Sequence, residues 1–513
     1  MPSWCRDELC GVTLKDSGIV GNNLEEQRMR LRKLLETSGV VKSSADMDME
    51  INNIRYDSRY VTPGDVFVAI EGYETDGHKY IEQALERGAV AVVCQREPGQ
   101  AVPYALVNNS REALAAMSAI FFGRPAENMK IIGVTGTNGK TTTTALLKQV
   151  LEKCTGVKVG LIGTNENMIG DLVIATDRTT PESYDLQKLL KEMLDAGCEY
   201  VVMEVSSHSL ILGRVHGITF EVGAFTNLTQ DHLDFHGTME KYAQAKALLF
   251  SQCRNAVVNL DDEYAGLMIE SAKCPVVTYA IDDNTADLVA KDIKLRADSV
   301  KFSALGVGEI ERVELKIPGR FNIYNALAVM ACTKVLKVGL TDIAGALKEV
   351  KGVKGRVEVI DTGKDYTVII DYAHTPDALE NVLKAVKGFA LGRVVVLFGC
   401  GGDRDSKKRP IMGEKAAEFA DFVIVTSDNP RTEPPRKIID DILVGMKHSK
   451  SPYVVIENRK EAIAFALDNA VKDDIIVLAG KGHETYQILG RTKHHMDERE
   501  IVRDHLGLSA AGA

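Results

Sequence analysis

The sequence predicts an α/β protein of three domains built around a central parallel sheet. Three observations predict it. The stretch Ile131 to Leu146, IIGVTGTNGKTTTTAL, reads as a short buried strand, a glycine loop and a helix start. Apolar runs and helical periods then alternate to the end of the chain, as in strands covered by helices on both faces. The 513 residues, at ~150 per domain, suggest about three cores.

The totals exclude several classes. Hydrophobic content of 45% and charged content of 26% are ordinary for a soluble globular chain. The formal net charge of −10 argues against general nucleic-acid or acidic-membrane binding. Nine cysteines without a C-x-x-C pair fit reduced thiols in a cytoplasm. No signal peptide and no bilayer-length apolar run are found. Residues 1–28 are polar, aperiodic and carry Cys5 and Cys10. They are expected to be an extension, either disordered or non-native with the true start at Met29.

The first domain is placed at 29–125. MRLRKLLETSGV sets Leu31, Leu34 and Leu35 on one face and predicts a helix from Met29. Pro63-Gly64 marks a turn. VFVAI is a strand, YIEQALERG a helix closed by Gly88, AVAVVC a strand, and Arg111 to Phe122 a helix. Asp57-Ser58-Arg59 falls between strands, where a hydroxyl and a guanidinium can hold an anion. The same triplet is common in plain turns.

The central domain is placed at 126–352, after the break GRPAENMK. Its glycine loop turns backbone N–H groups and a helix N-terminus toward one point, where a phosphate can sit. Lys140 would reach the outer phosphates and the Thr141 hydroxyl would hold Mg²⁺. The usual G-x-x-x-x-G-K-[ST] pattern has Gly where this chain has Val134. A Gly-Lys-Thr turn can also be a plain helix cap. Gly136, Gly139 and the run Thr141 to Thr144 favour a nucleotide. The strands VGLIGT, YVVMEVSS, VGAFTNL and AVVNLDD and the helix SYDLQKLLKEMLDAG follow. Polar residues gather at the strand ends, where such sheets bind ligands: Thr179-Thr180, Glu204 to His208, and Asn227 to His236. Glu204 ends an apolar strand, so its carboxylate needs a partner, either Mg²⁺ or a cationic side chain. Asp231-His232 is read as placing a second metal or a phosphate group; His216 and His236 are read as structural. Lys246, on the amphipathic stretch KYAQAKALLF, reads by itself as solvated or ion-paired. Residues 275–316 alternate weakly, as edge strands do. IPGRFNIYNALAVMAC is a turn and a helix whose early Asn322 and Asn325 can cap or meet a base.

The third domain is placed at 353–513. YTVIIDYA, RVVVLFGC, FVIVTSDN, YVVIE and DIIVLAG are strands, and the loops HTPDAL, GGDRDSKKR, PRTEPP and KGHE sit among them. This is a second doubly wound, Rossmann-like unit. Arg404 and Arg431 can bind a carboxylate bidentately, unless they are ordinary surface arginines. His494-His495 is too isolated for a metal site.

TGTNGKTTT, MEVSSH, NLTQDHLDFHG, PGRFNIYNALA, DYAHTPD, GCGGDRD, SDNPRTEPP and GKGHE occur in this order. Together they resemble the Mur ligases, ATP-dependent amide-forming enzymes of peptidoglycan synthesis, from about Met29 onward. That family's phosphate loop has the Val134 form. Asp428 to Arg431, DNPR, resembles the signature of its diaminopimelate-adding branch; lysine-adding relatives differ there. The resemblance implies a central P-loop mononucleotide-binding domain flanked by a UDP-binding and an amino-acid-binding domain. It implies a cytoplasmic monomer acting on small molecules: ATP, UDP-MurNAc-L-Ala-D-Glu and meso-diaminopimelate. No nucleic acid and no membrane insertion are implied.

Roles follow from the resemblance position by position. Thr137, Asn138, Gly139, Lys140, Thr141 and Thr142 would bind ATP phosphates, with Lys140 on the transferred group. Asn325 and Arg356, with Asp371 and His374, would lie on the nucleotide side. Thr141, Glu204 and His232 would organise Mg²⁺. Lys246 matches the family lysine that CO₂ carbamylates into a ligand for a second Mg²⁺, which replaces the solvated reading. Ser58, Thr179, Thr180, Ser206 and Arg214 would hold the UDP-muramoyl dipeptide. Arg404, Asp428, Asn429, Pro430, Arg431, Gly480 and Glu484 would form the diaminopimelate pocket. The implied reaction activates the D-Glu γ-carboxylate as an acyl phosphate, which the diaminopimelate amine attacks. The rivals are a folylpolyglutamate synthase, a lysine-adding ligase and a non-catalytic binding module. DYAHTPD with DNPR and GKGHE opposes the first and Arg431 the second. The intact set Lys140, Glu204, His232 and Lys246 opposes the third.

Overall fold

The computed structural model describes residues 28–508, apart from 73, 74, 100, 177 and 297. The extension expected over 1–28 thus lies outside the described residues, save Arg28. The backbone forms two compact units. One holds the chain up to Thr137 with Thr155–Ala256 and Tyr264–Val276; the other holds Asn138–Cys154, Val257–Glu263 and the chain from Val277.

The first unit carries a five-stranded sheet in the order Val40–Ser43, Tyr104–Val107, Ala91–Cys94, Val66–Val68, Ile54–Arg55. All pairs but the first are parallel. The helix Ser110–Phe121 buries Ala113, Leu114, Met117 and Phe121 in one cluster with Val66, Val68, Ala91 and Val93. The helix predicted from Met29 is a single turn, Leu31–Leu34. Met29 and Arg30 instead pair antiparallel with Ile51 and Glu50. The leucine face is still buried, but sheet pairing claims the two residues before it.

The second sheet region of this unit runs Leu172–Ile174, Asn167–Ile169, Val159–Ile162, Tyr200–Glu204, Lys130–Thr135, Val222–Phe225. The last four strands are parallel. They are buried on both faces, as the β-branched runs require. Register sets Glu204 beside Val134 and Phe225 beside Thr135, so three strand ends open at one level. Gly133 is needed inside its strand because a Cβ there would lie 2.8 Å from the Phe220 ring.

In the second unit the weakly alternating stretch is an antiparallel set, Leu288–Leu295, Val300–Gly306 and Glu309–Leu315. The helix Arg320–Val335 is buried along most of its length. A six-stranded sheet follows in the order Glu358–Ile360, Thr367–Asp371, Ile475–Ala479, Val394–Phe398, Phe422–Val425, Tyr453–Val455. Only its first strand is antiparallel. A hairpin, Tyr486–Leu489 with Thr492–His495, comes after the fifth parallel strand in the chain. The α/β class and the parallel cores are as the sequence predicts. Among the described residues no helix is long and apolar enough to cross a membrane.

Candidate active site

The strand Lys130–Thr135 passes into the helix Lys140–Thr155 through four residues. Gly136 has φ +147° and Gly139 φ +85°. A Cβ on Gly136 would stand 1.9 Å from Thr226 Oγ1, and one on Gly139 2.5 Å from Asn325 Oδ1. The loop is therefore bare backbone, the form that suits a phosphate. The Thr137 amide donates to Asn227 O at 2.8 Å, and its hydroxyl lies 3.2 Å from Tyr242 Oη. Asn325 is buried; its Oδ1 accepts from Thr143 Oγ1 at 3.2 Å and its Nδ2 donates to Asn322 Oδ1 at 2.9 Å. Its side chain thus braces the loop helix. Gly136→Ala is expected to weaken ATP binding by about 30- to 100-fold, since the added methyl meets a buried threonine in a left-handed backbone. Calorimetric titration with ATP and Mg²⁺, with Tm read alongside, checks this.

Lys246 lies on the helix Met239–Ala247 and is 1% exposed, which corrects the solvated reading. Its Nζ donates to Gly136 O at 2.8 Å and lies 4.5 Å from the centre of the Tyr242 ring, one turn earlier. Burial pushes the Tyr242 phenol up to about 12, so it stays neutral against Thr137. His232 takes φ +52°, is exposed, and has Nε2 3.4 Å from Asp231 Oδ2. Its ring centre lies 4.8 Å from that of His208. His236 is buried with Nε2 2.9 Å from Ser207 Oγ.

Glu204 is 1% exposed. It accepts from Thr164 N at 2.8 Å and from Thr164 Oγ1 at 3.1 Å. A Cβ on Gly163 would lie 2.6 Å from its Oε1. An ionised carboxylate offers about four acceptor directions, so capacity remains for a cation, and the oxygen-rich surroundings fit Mg²⁺. The Thr164 and Thr179 hydroxyls are 3.0 Å apart. Thr180 Oγ1 donates to the Glu204 carbonyl at 2.8 Å and accepts from Ser206 N at 3.3 Å. Thr179, Thr180, Glu204 and Ser206 are thereby brought together. Arg214 Nη1 donates to Thr180 O at 3.1 Å. Glu182 Oε2 gathers Arg214 at 3.3 Å, Arg111 at 3.3 Å and Arg178 at 3.9 Å. Three guanidiniums on one carboxylate leave positive charge for an anionic ligand. Ser58 belongs to a separate turn, Ser58–Tyr60, capped by Asp57, and donates to Gln83 Oε1 at 2.8 Å.

The second unit collects the C-terminal candidates beyond the carboxyl ends of its parallel strands. Asn429 Nδ2 donates to Glu484 Oε2 at 2.9 Å. Arg431 is half-buried at φ +52°, and its Nη1 donates to Gly402 O at 2.7 Å. Pro430 is buried, and a Cβ on Gly402 would lie 1.9 Å from its carbonyl oxygen. Gly480, at φ +112°, donates its amide to Asp371 O at 3.0 Å. Arg404 is exposed, with Nη1 3.4 Å from Asp403 O. Arg356 stacks 5.1 Å from the Tyr372 ring centre. Burial raises the Asp371 carboxyl, against the lowering by Arg356 and two backbone donors. His374 is exposed, with Nδ1 2.8 Å from Tyr372 O.

Family models match this chain in three places: "Mur ligase family, catalytic domain" over 50–140, "Mur ligase middle domain" over 134–333, and "Mur ligase, glutamate ligase domain" over 355–482. The UDP-N-acetylmuramoyl-L-alanyl-D-glutamate–2,6-diaminopimelate ligase of Caldanaerobacter subterraneus is 50% identical over 487 residues, 94% of this chain and 100% of the relative. The chain belongs to the Mur ligase family. A second ligase of that name, from Clostridium acetobutylicum, is 47% identical over 482 residues, 93% of this chain and 99% of the relative. A solved structure with the same name superposes at TM-score 0.70 with 32% identity, covering 94% of this chain and all of the other. The folylpolyglutamate synthase of Mycobacterium tuberculosis, at 16% identity and TM-score 0.58 over 72% of this chain and 92% of its own, shares the fold alone.

This Mur ligase is an ATP-dependent, amide-forming enzyme, as the sequence motifs imply. Four residues that contact the sequence-predicted candidates have no role assigned from the sequence. Tyr242 stands one helical turn before Lys246, an i, i+4 spacing that was legible. Lys481 lies inside GKGHE, between two assigned residues. Thr164 is the polar last residue of the predicted strand VGLIGT, a signal that was legible; Glu182 carries none, and only helix placement brings it to Arg214.

Proposed function

We propose that this Mur ligase joins meso-2,6-diaminopimelate to the D-Glu γ-carboxylate of UDP-MurNAc-L-Ala-D-Glu, with ATP, as a cytoplasmic monomer in peptidoglycan precursor synthesis. The observation that carries the reading is the Asp428-to-Arg431 segment. It sets a held arginine near buried Asp428 and Asn429, with Glu484 bound to Asn429. The distal end of diaminopimelate carries both a carboxylate and an ammonium, and this segment offers a partner for each. Relatives of that name at 50% and 47% identity support the same substrate.

A carboxylate is a poor acyl donor. Transfer of the ATP γ-phosphoryl group to the γ-carboxylate oxygen gives an acyl phosphate and ADP. The deprotonated amine of diaminopimelate attacks the acyl carbon, and the tetrahedral intermediate expels phosphate and leaves the amide. Lys140 places positive charge at the transferred group, and the bare loop 136–139 aligns it. By family position Thr141, Glu204 and His232 would hold Mg²⁺, which would supply charge neutralisation at the phosphates. Lys246 would first lose a proton; its neutral amine would then add to the carbon of CO₂ and release a second proton, forming a carbamate. That turns a cation into an anion able to hold a second Mg²⁺, and its remaining N–H can keep the bond to Gly136 O. The arginines around Glu182 favour the anionic nucleotide-sugar dipeptide, and Ser58 contacts its nucleotide end.

Phosphate release with ATP, Mg²⁺ and UDP-MurNAc-L-Ala-D-Glu, comparing meso-diaminopimelate with L-lysine, tests this. Turnover with diaminopimelate alone is expected. Equal turnover with lysine would break the pocket assignment, and silence with both would favour a non-catalytic module.

A further inference from the structure

Lys481 has no part in the reaction as described, yet it is a fully buried lysine in the acceptor region. Its Nζ donates to Asn429 Oδ1 at 2.7 Å, Glu484 Oε2 at 3.0 Å and Tyr486 O at 2.5 Å. An ammonium has three N–H donors, so all three point into this one cluster. Asp428 Oδ1, buried and without a hydrogen bond among the described residues, lies 3.5 Å from the same Nζ. The lysine therefore joins two carboxylates, the signature asparagine and the first residue of the hairpin Tyr486–Leu489.

That hairpin strand in turn grips the signature segment. Ile488 N donates to Asn429 Oδ1 at 2.9 Å, and Gln487 Nε2 donates to Asp428 O at 2.6 Å. Arg431 N donates to Ile488 O at 3.1 Å, and Gly490 N donates to Arg431 O at 2.8 Å. A non-glycine residue at φ +52° is held by its surroundings. Here the hairpin backbone does the holding.

Charge completes the argument. Asp428 and Glu484 together carry two negative charges, and Lys481 cancels one. The net single negative charge matches one ammonium of an amino-acid acceptor. Without Lys481 the two carboxylates would face each other with no cation between them.

We infer that Lys481 is a positioning and specificity-determining residue for the acceptor. It pins the hairpin that holds Arg431 and sets the pocket's charge to that of a zwitterionic acceptor end. This rests on the diaminopimelate reading above.

Steady-state kinetics of Lys481→Met with all three substrates tests it. KM for diaminopimelate is expected to rise about 30-fold or more, with KM for ATP and for the UDP-dipeptide within about twofold. Its preference for diaminopimelate over lysine is expected to fall about tenfold. Gln487→Ala, a milder change on the same hairpin, should raise only the acceptor KM, about three- to tenfold, and keeps the test open if Lys481→Met does not fold. Parallel changes in all three KM values, or an unchanged acceptor KM in Gln487→Ala, would overturn the inference. Loss of diaminopimelate preference in the unmodified enzyme would overturn the reading beneath it instead.

Discussion

Lys246→Met is expected to lower kcat by about 10³-fold or more, roughly 4 kcal/mol of transition-state stabilisation. Lys246 is buried beneath the phosphate loop and bound to Gly136 O, so its chemistry acts at the loop itself. As an ammonium it would repel Mg²⁺; as a carbamate it would bind it. The methionine variant keeps the aliphatic stem against Tyr242 and loses the hydrogen bond to Gly136 O, about 1 kcal/mol, so Tm is expected to fall by a few degrees. Lys246→Arg keeps positive charge but cannot be carbamylated, and is expected to be as inactive. Stripping CO₂ from the unmodified enzyme should lower its rate, and added bicarbonate should restore it. An active Lys246→Arg enzyme, or indifference to bicarbonate, would remove the carbamate from the mechanism.

The second large effect is at Arg431. Arg431→Met is expected to cut kcat/KM for meso-diaminopimelate by about 10³-fold, while the weak reaction with L-lysine stays level or rises. Loss of the guanidinium leaves the distal carboxylate of the acceptor desolvated without a partner, a cost of about 3–5 kcal/mol. Lysine has no carboxylate there and loses nothing. Arg431→Lys is expected to recover little, because one ammonium cannot reproduce a planar two-point contact. The ratio of kcat/KM for the two acceptors, taken with KM for ATP, measures this; an equal loss with both acceptors would show that Arg431 holds the fold rather than the substrate.

Much of this was legible in the residues. The glycine loop follows from Gly136 and Gly139, because only glycine tolerates those φ values against Thr226 and Asn325. The parallel strands follow from runs such as VVVLF and IIVLA, apolar on both faces. Lys246 was misread from its own segment because periodicity reports which face of a helix is apolar, not what a long side chain reaches. The Met29 helix was overextended for a related reason. A two-residue strand pairing with Glu50–Ile51 is a long-range choice that local spacing cannot express.

The sequence by itself determined the chemistry available: a phosphate loop with its lysine, a strand-end glutamate, and an acidic-basic acceptor signature in order along the chain. Tertiary structure alone decided which partners tune those groups. Thr164 meets Glu204 through residues 40 apart, Glu182 collects arginines from both sides of it, and Lys481 ties Asn429 to Glu484 and Tyr486 across 52 residues. Such contacts depend on strand register and on which loop faces which, and these are fixed by burial of the whole sheet rather than by any local pattern.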